Sequence, residues 1–111
     1  MTPNEYQREA LRTVPSDICG HSVLMMGVMG LAGESGEAVD LVKKYVFHEH
    51  DLDQKHLAKE LGDVAWYLAV TAATIGYDLE EILQMNVDKL RKRYPDGFDP
   101  DRSNNRAPDD V

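Results

Sequence analysis

Apolar residues recur every three or four positions along most of the chain, a spacing typical of one face of an α-helix. Val, Ile and Thr are thinly spread and aromatic residues make up only 7% of the sequence, which argues against an all-β fold. The pattern predicts four helices, over residues 3–14, 21–46, 54–75 and 79–94. We therefore expect an all-α antiparallel bundle of four to five helices.

Capping residues mark the ends of the predicted helices. Thr2 is placed as the N-cap of the first helix, and Glu5 completes a capping box with it. Asp53 offers an N-cap for the third helix. Asp78 and Glu81 repeat the capping box at the start of the fourth.

One domain accounts for most of the chain. With 111 residues and no internal repeat or low-complexity linker, residues 1–98 are expected to form a single domain. Residues 99–111 are polar and rich in Asp, Asn and Arg, so we expect a tail that is irregular or frayed at its end.

The charge balance restricts the possible partners. The chain carries 12 Lys and Arg against 20 Asp and Glu, a formal net charge of −8. An acidic chain is a poor candidate for binding a nucleic-acid polymer or an anionic membrane surface. No apolar stretch is long enough to cross a bilayer and the first residues show no apolar signal region, so we expect a cytoplasmic protein. Cys19 is the only cysteine, which excludes an intramolecular disulfide and a thiolate zinc cluster.

Two short acidic motifs lie on the second and third predicted helices. Glu34 and Glu37 form the first pair, and Glu60 and Asp63 form the second. Residues three apart are neighbours on a helix surface, so the two carboxylates of each pair repel one another unless a cation compensates.

Helix rise places the two acidic pairs at nearly the same level. The first pair lies about 16 Å before the end of its helix, and the second about 12 Å after the start of the next. Helices joined by a short connection pack antiparallel, so the pairs should meet beside the apolar face. A hard divalent cation such as Mg²⁺ would balance four facing acids, whereas the absence of Glu-x-x-His argues against a di-iron site. Ordinary solvated helix charges are the simpler alternative.

Four glycines, three residues apart, lie within the second helix: Gly27, Gly30, Gly33 and Gly36. Close approach of a neighbouring helix explains them, and so does clearance beside a ligand. The sequence alone does not separate the two explanations.

A basic cluster closes the fourth helix. Lys89 and Arg93, together with Arg91 and Lys92, complement the helix dipole there, or else bind phosphate oxygens. Asn86 lies one turn before Lys89 and can share its face.

Other candidates carry weaker signals. The acidic and histidine-rich stretch from His48 to His56 is expected to be a solvated connection between helices. Tyr67 lies one turn beyond Asp63 and can face a nucleoside, whereas Trp66 is expected in the core.

Three segments of the sequence resemble one protein family. They are GLAGESGE at residues 30–37, ELGDVAWYL at 60–68, and NVDKLRKRYP at 86–95 followed by Gly97 and Phe98. In this order they resemble the MazG-like, all-α nucleoside triphosphate pyrophosphohydrolases, and the resemblance covers most of the chain.

The resemblance implies a reaction and roles for several residues. The reaction is hydrolysis of a nucleoside triphosphate between the α and β phosphates, giving a nucleoside monophosphate and pyrophosphate. Glu34, Glu37, Glu60 and Asp63 would ligate Mg²⁺, for which Mn²⁺ can substitute, and one of these carboxylates would accept a proton from the attacking water. Lys89 and Arg93 would contact phosphate, with Asn86 beside them.

The resemblance also implies a homodimer or homotetramer whose active sites are shared between subunits. Small domains bury little apolar surface alone, which fits an oligomer. Two alternatives to the enzyme remain, a non-catalytic helical interaction module and a regulator that responds to a divalent metal.

Overall fold

The computed structural model describes residues 1–111 and contains five helices. They are α1 (Pro3–Leu11), α2 (Gly20–Phe47), α3 (Gln54–Thr74), α4 (Leu79–Arg93) and α5 (Pro100–Asn104). No strand is formed, and a single isolated bridge joins Pro95 and Gly97. The all-α prediction is confirmed.

The predicted caps of α1 and α3 are present. The amide of Glu5 donates to Oγ1 of Thr2 at 3.1 Å, and the amide of Thr2 donates to Oε2 of Glu5 at 2.6 Å. At α3, the amide of His56 donates to Oδ1 of Asp53 at 2.9 Å. These short side chains satisfy amides that have no partner within their helix, and so they fix where each helix begins.

The first helix is shorter than the apolar spacing predicted. It ends at Leu11, and the amides of Arg12, Thr13 and Val14 each donate to a carbonyl three residues back. Oγ1 of Thr13 donates to the carbonyl oxygen of Ala10 at 2.8 Å. A hydroxyl that bonds the preceding turn competes with helical hydrogen bonding, and the chain tightens into turns.

Contacts divide the chain into two compact units, Met1–Leu79 and Glu80–Val111. In the first unit, α2 and α3 form a helical hairpin and α1 packs on α3. The hydroxyl of Tyr6 on α1 lies 3.4 Å from the carbonyl oxygen of Gly62, and Nε1 of Trp66 donates to Oγ1 of Thr13 at 2.7 Å. These bonds hold α1 against the middle of α3.

Two glycines set the register between α2 and α3. A Cβ on Gly27 would collide with Thr71, and one on Gly30 would collide with the ring of Tyr67. Gly33 and Gly36 face open space. Close helix approach therefore explains the first two glycines and does not explain the last two.

Gln7 ties α1 to the far end of the first unit. It is 4% exposed, and its Nε2 donates to the carbonyl oxygens of Ala69 at 3.0 Å and Tyr77 at 3.1 Å. Its Oε1 accepts from the amide of Leu79 at 3.0 Å. One buried side chain thus satisfies backbone groups on both sides of the turn after α3.

The interior is small, and much apolar surface remains exposed. The buried apolar residues are Ala10, Ala69, Val70, Ala72 and Leu79. On α2 the exposed apolar side chains are Met25, Val28, Met29, Val39, Val42, Tyr45, Val46 and Phe47. Leu61 of α3 is 56% exposed, because helical spacing marks an apolar position without supplying a neighbour to cover it.

The second unit contains α4 from Glu80 onwards, α5 and the residues that follow. Asp99 caps α5 by accepting from the amides of Asp101 and Arg102. The expectation of an irregular tail was therefore wrong for residues 100–104, because Asp99 and Pro100 provide a cap and a favourable first helical residue. None of the five helices combines the length and apolar character needed to cross a bilayer.

Candidate active site

The hairpin of α2 and α3 brings acidic side chains from both motifs together. Carboxylate oxygens of Glu34, Glu60 and Asp63 all lie within 4.8 Å of one another. The register set by Gly27 and Gly30 carries one helical turn further and brings Glu34 to the level of Asp63. Three of the four acids of the two motifs thus lie at the same level of the hairpin.

Glu37 stands apart from these three carboxylates. It is exposed and lies outside their 4.8 Å group. It shares its side of α2 with an ion-paired group, in which Nζ of Lys43 and Lys44 lie 2.9 Å and 2.6 Å from the carboxylate of Asp40. These hydrogen-bonded lysines lower the pKa of Asp40 to about 2, while Glu37 adds a smaller upward contribution to the pKa of Lys44.

Like charges lie close together in the acidic group. Burial raises the pKa of Glu34 above its ordinary value, and the nearby carboxylates of Asp63 and Glu60 raise it further. These nearby like charges disfavour ionisation of Glu34, as expected for a carboxyl group placed beside other carboxylates. A cation between them would remove this penalty.

His56 lies against the group although the sequence placed it in a solvated connection. Its Nε2 is 2.8 Å from Oε1 of Glu60, whose side chain is 14% exposed. The two residues are one turn apart on α3. The predicted helix over residues 54–75 already contained His56 and Glu60, so their i, i+4 spacing was a usable signal for this contact.

Tyr6 of α1 also borders the acidic group. Burial raises the pKa of its hydroxyl, and the charge of Asp63 adds to the rise. Sequence reasoning did not single out Tyr6 for this location, since only tertiary packing brings α1 to this part of α3.

The donor set fits a hard divalent cation. Three carboxylates offer oxygen ligands only, with no thiolate nearby, and Mg²⁺ takes part of its shell from one or two carboxylates. A histidine hydrogen-bonded to one ligand would orient that ligand. Glu34, Glu60 and Asp63 are therefore the residues of this chain suited to hold the ion.

The aromatic pair that follows the second motif packs within the hairpin. Trp66 and Tyr67 are half-buried, and their ring centroids lie 4.9 Å apart in an edge-to-face arrangement. Trp66 packs against the buried core, as expected. The ring of Tyr67 lies over the backbone of Gly30, and its contact with a nucleoside stays a prediction.

The predicted phosphate ligands belong to the second unit. Lys89 and Arg93 line the same cavity of about 500 Å³, and Asn86, which is exposed, is not among its lining residues. The guanidinium of Arg93 forms two hydrogen bonds with the carboxylate of Asp110. Asp110 was not a candidate in the sequence, because 17 positions separate it from Arg93.

Carboxylates converge here from two paired helices of an all-α chain. This arrangement is typical of proteins that depend on a bound metal ion. Comparison with known families agrees with this description. The model of the MazG nucleotide pyrophosphohydrolase domain matches residues 25–98, which include both acidic motifs and all of α4. The chain belongs to this family.

The chain is also similar to a bacteriophage protein. The chain is 35% identical over 82 residues to the Gene 37 protein of Mycobacterium phage L5. The aligned region covers 70% of this chain and 72% of the phage protein. No solved structure shows a significant match.

Proposed function

We propose that the protein is a Mg²⁺-dependent nucleoside triphosphate pyrophosphohydrolase. The proposed reaction converts a ribo- or deoxyribonucleoside triphosphate and water into the monophosphate and diphosphate, a reaction that controls nucleotide pools. The convergence of Glu34, Glu60 and Asp63 within 4.8 Å is the observation that carries the proposal. Membership of the MazG family supports the same reaction.

The carboxylates have two tasks in this reaction. A bound divalent ion would neutralise the triphosphate, orient it and lower the pKa of the attacking water. Glu34, Glu60 and Asp63 hold the ion, and Glu37, close enough to influence the pKa of Glu34, is the fourth proposed ligand. One of the four accepts the proton of the attacking water, as a general base within hydrogen-bonding reach does.

Cationic and aromatic residues are proposed to bind the rest of the substrate. Lys89 and Arg93 contact phosphate oxygens, with Asn86 as a neutral donor on the same helix. Arg93 is suited to this because a guanidinium matches a phosphate with two parallel hydrogen bonds. Tyr67 is the proposed contact of the nucleoside, and Mn²⁺ is expected to replace Mg²⁺.

We also propose that the protein works in the cytoplasm as a homodimer or homotetramer. A second copy would cover the exposed apolar residues of α2, which include Val39, Val46 and Phe47. These three line an almost wholly apolar groove of about 510 Å³ between α2 and the start of α3. Sedimentation of wild-type protein and Val39→Glu tests this proposal, since a charge in the groove should shift the assembly towards monomer.

The activity is tested with purified protein, Mg²⁺ and a panel of nucleoside triphosphates. Monophosphate and pyrophosphate should appear in equal amounts. Glu60→Gln and Asp63→Asn should each lower the rate by more than about a hundredfold, since even outer-shell partners of metal sites commonly contribute 10- to 100-fold. Asp51→Asn, an exposed acid in the connection before α3, is the matched control and should keep full activity.

Three results would contradict the proposal. Release of orthophosphate without pyrophosphate would point to a different bond. Mg²⁺-dependent stabilisation without turnover of any nucleotide would favour a metal-responsive regulator. Absence of both effects would favour a helical interaction module.

A further inference from the structure

The second unit contains a strongly cationic cavity of about 500 Å³. Its basic lining residues are Lys89, Lys92, Arg93, Arg102 and Arg106. Five of the chain's 12 lysines and arginines thus face one space, although the net charge is −8. Only two acidic side chains, those of Asp109 and Asp110, join them there. This concentration of positive charge is suited to a polyanion.

The guanidinium of Arg93 is hydrogen-bonded to the carboxylate of Asp110. Nε and Nη2 of Arg93 donate to Oδ2 and Oδ1 of Asp110, both at 2.7 Å. The two side chains are only 11% and 17% exposed, so the pair is well covered. A guanidinium binds a phosphate through the same pair of parallel hydrogen bonds. Asp110 therefore takes the place that a phosphate group would take.

Other cations of the cavity also act on Asp110. Its pKa is lowered mainly by Arg93 and further by the charges of Arg106 and Lys89. Three cations of the cavity thus favour an anion at this position. Two of the three cations come from α4, and Arg106 comes from the segment after α5.

The fold of the second unit delivers Asp110 to this position. Gly97 adopts a φ of 95° and turns the chain after α4. The rings of Tyr94 and Phe98 lie 5.4 Å apart across the turn, and Ser103 hydrogen-bonds the hydroxyl of Tyr94. The segment after α5 is thereby directed back along α4.

We propose that this cavity binds the phosphate chain of a polyphosphate anion and that Asp110 is an internal competitor which must leave Arg93 first. Arg102 and Arg106 extend the site beyond Lys89 and Arg93. Without an anion, Asp110 neutralises Arg93 and keeps the residues around it in place. With an anion, a phosphate group replaces the carboxylate and these residues are released. The identification of the ligand as a nucleotide substrate or its pyrophosphate product rests on the proposed function.

Pyrophosphate binding to the full chain tests the exchange without turnover. Titration calorimetry with inorganic pyrophosphate in EDTA removes any contribution from metal chemistry. Asp110→Asn should bind about fivefold more tightly than wild type, since the competing ion pair is lost. Asp109→Asn is the matched control, because it removes the same charge from the same cavity without breaking the bonds to Arg93. Equal effects of the two variants, or weaker binding by Asp110→Asn, would overturn the proposal.

A measurement on the wild-type protein tests the proposal even if Asp110→Asn does not fold correctly. In nuclear magnetic resonance spectra, pyrophosphate should shift the Nε–H signal of Arg93 and increase the mobility of residues 107–111. Binding that leaves these residues rigid would contradict the exchange, as would an absence of pyrophosphate binding by wild type and Asp110→Asn alike. Arg106→Gln should weaken binding, whereas Arg91→Gln, also on α4 but outside the cavity lining, should not.

The outcomes separate this inference from the proposed enzyme activity. Pyrophosphate binding with release of Asp110, but without nucleotide turnover, would support the cavity and contradict the activity. Turnover that depends on Glu60, while Asp110 stays bonded to Arg93 throughout, would support the enzyme activity. It would contradict the proposed exchange of Asp110 for an anion in the cavity.

Discussion

Nε2 of His56 lies 2.8 Å from Oε1 of Glu60, one turn further along α3. The histidine is half exposed at 51%, whereas the glutamate side chain is 14% exposed. The bond therefore reaches from the solvent-facing side of the helix to an acid that faces Glu34 and Asp63. It fixes the orientation of one candidate ligand while the other oxygen of that carboxylate stays available.

Removing this bond should weaken metal binding without abolishing it. His56→Ala leaves Glu60 free to rotate, and loss of such an outer partner commonly costs 10- to 100-fold in affinity. Because His56 is half exposed, we expect a value near the lower end, about tenfold. Calorimetric titration with Mn²⁺ measures it, and His50→Ala in the preceding loop is the control. Equal affinities of the two variants would show that the bond does not orient the ligand.

Ionised Glu34 should destabilise the metal-free protein at neutral pH. The pKa of Glu34 is raised in the folded state, by burial and then by Asp63 and Glu60, so folding favours its protonated form. The stability it contributes is present below its ordinary pKa and is lost as pH rises through the raised value. Glu34→Gln in EDTA should therefore melt at a higher temperature than wild type at about pH 7 but not at about pH 4.

Saturating Mg²⁺ should reverse that order at neutral pH. Wild-type protein gains stability by binding the ion, whereas the neutral amide that Glu34→Gln introduces is a poorer ligand for it. Glu49→Gln, a loop variant outside the acidic group, should follow wild type in every condition. A Glu34→Gln protein less stable than wild type in EDTA at neutral pH would contradict the raised pKa.

Two glycines of α2 should respond oppositely to alanine. Gly27→Ala forces a Cβ against Thr71, and overpacking of this kind typically costs about 1–3 kcal/mol. Gly33→Ala meets nothing within 4 Å and should gain up to about 1 kcal/mol of helix propensity. Urea denaturation of both variants measures the difference. Equal free energies of unfolding would show that α2 and α3 do not approach as closely as described.

Loss of Gln7 should destabilise the first unit. Gln7→Leu fits an apolar side chain into the same space but leaves the buried amide of Leu79 and the carbonyl of Tyr77 without this partner. An unsatisfied buried polar group costs about 1–3 kcal/mol, so we expect a loss of about 3 kcal/mol in all. Gln54→Leu, at the exposed start of α3, is the control for the residue change. A loss no larger than that of the control would contradict the bridging role.

Helix positions and capping followed closely from the sequence, and so did the acidic pairs. Thr2 and Asp53 could be recognised as caps because their hydrogen bonds reach only three residues along the chain. The α2–α3 connection is short, so the level of Glu34 and Asp63 could be worked out from helix rise alone. In each case the geometry of a short stretch of chain was sufficient to make the prediction.

The sequence by itself determined the all-α fold and placed two acidic pairs at one level of a helical hairpin. Only the tertiary structure decided which carboxylates converge, because that depends on side-chain directions across α2 and α3, and Glu37 stays outside the group. It also decided the partners of Gln7 and Arg93, which lie far from them in sequence. Periodicity records which positions share a helix face, whereas only packing determines what that face meets.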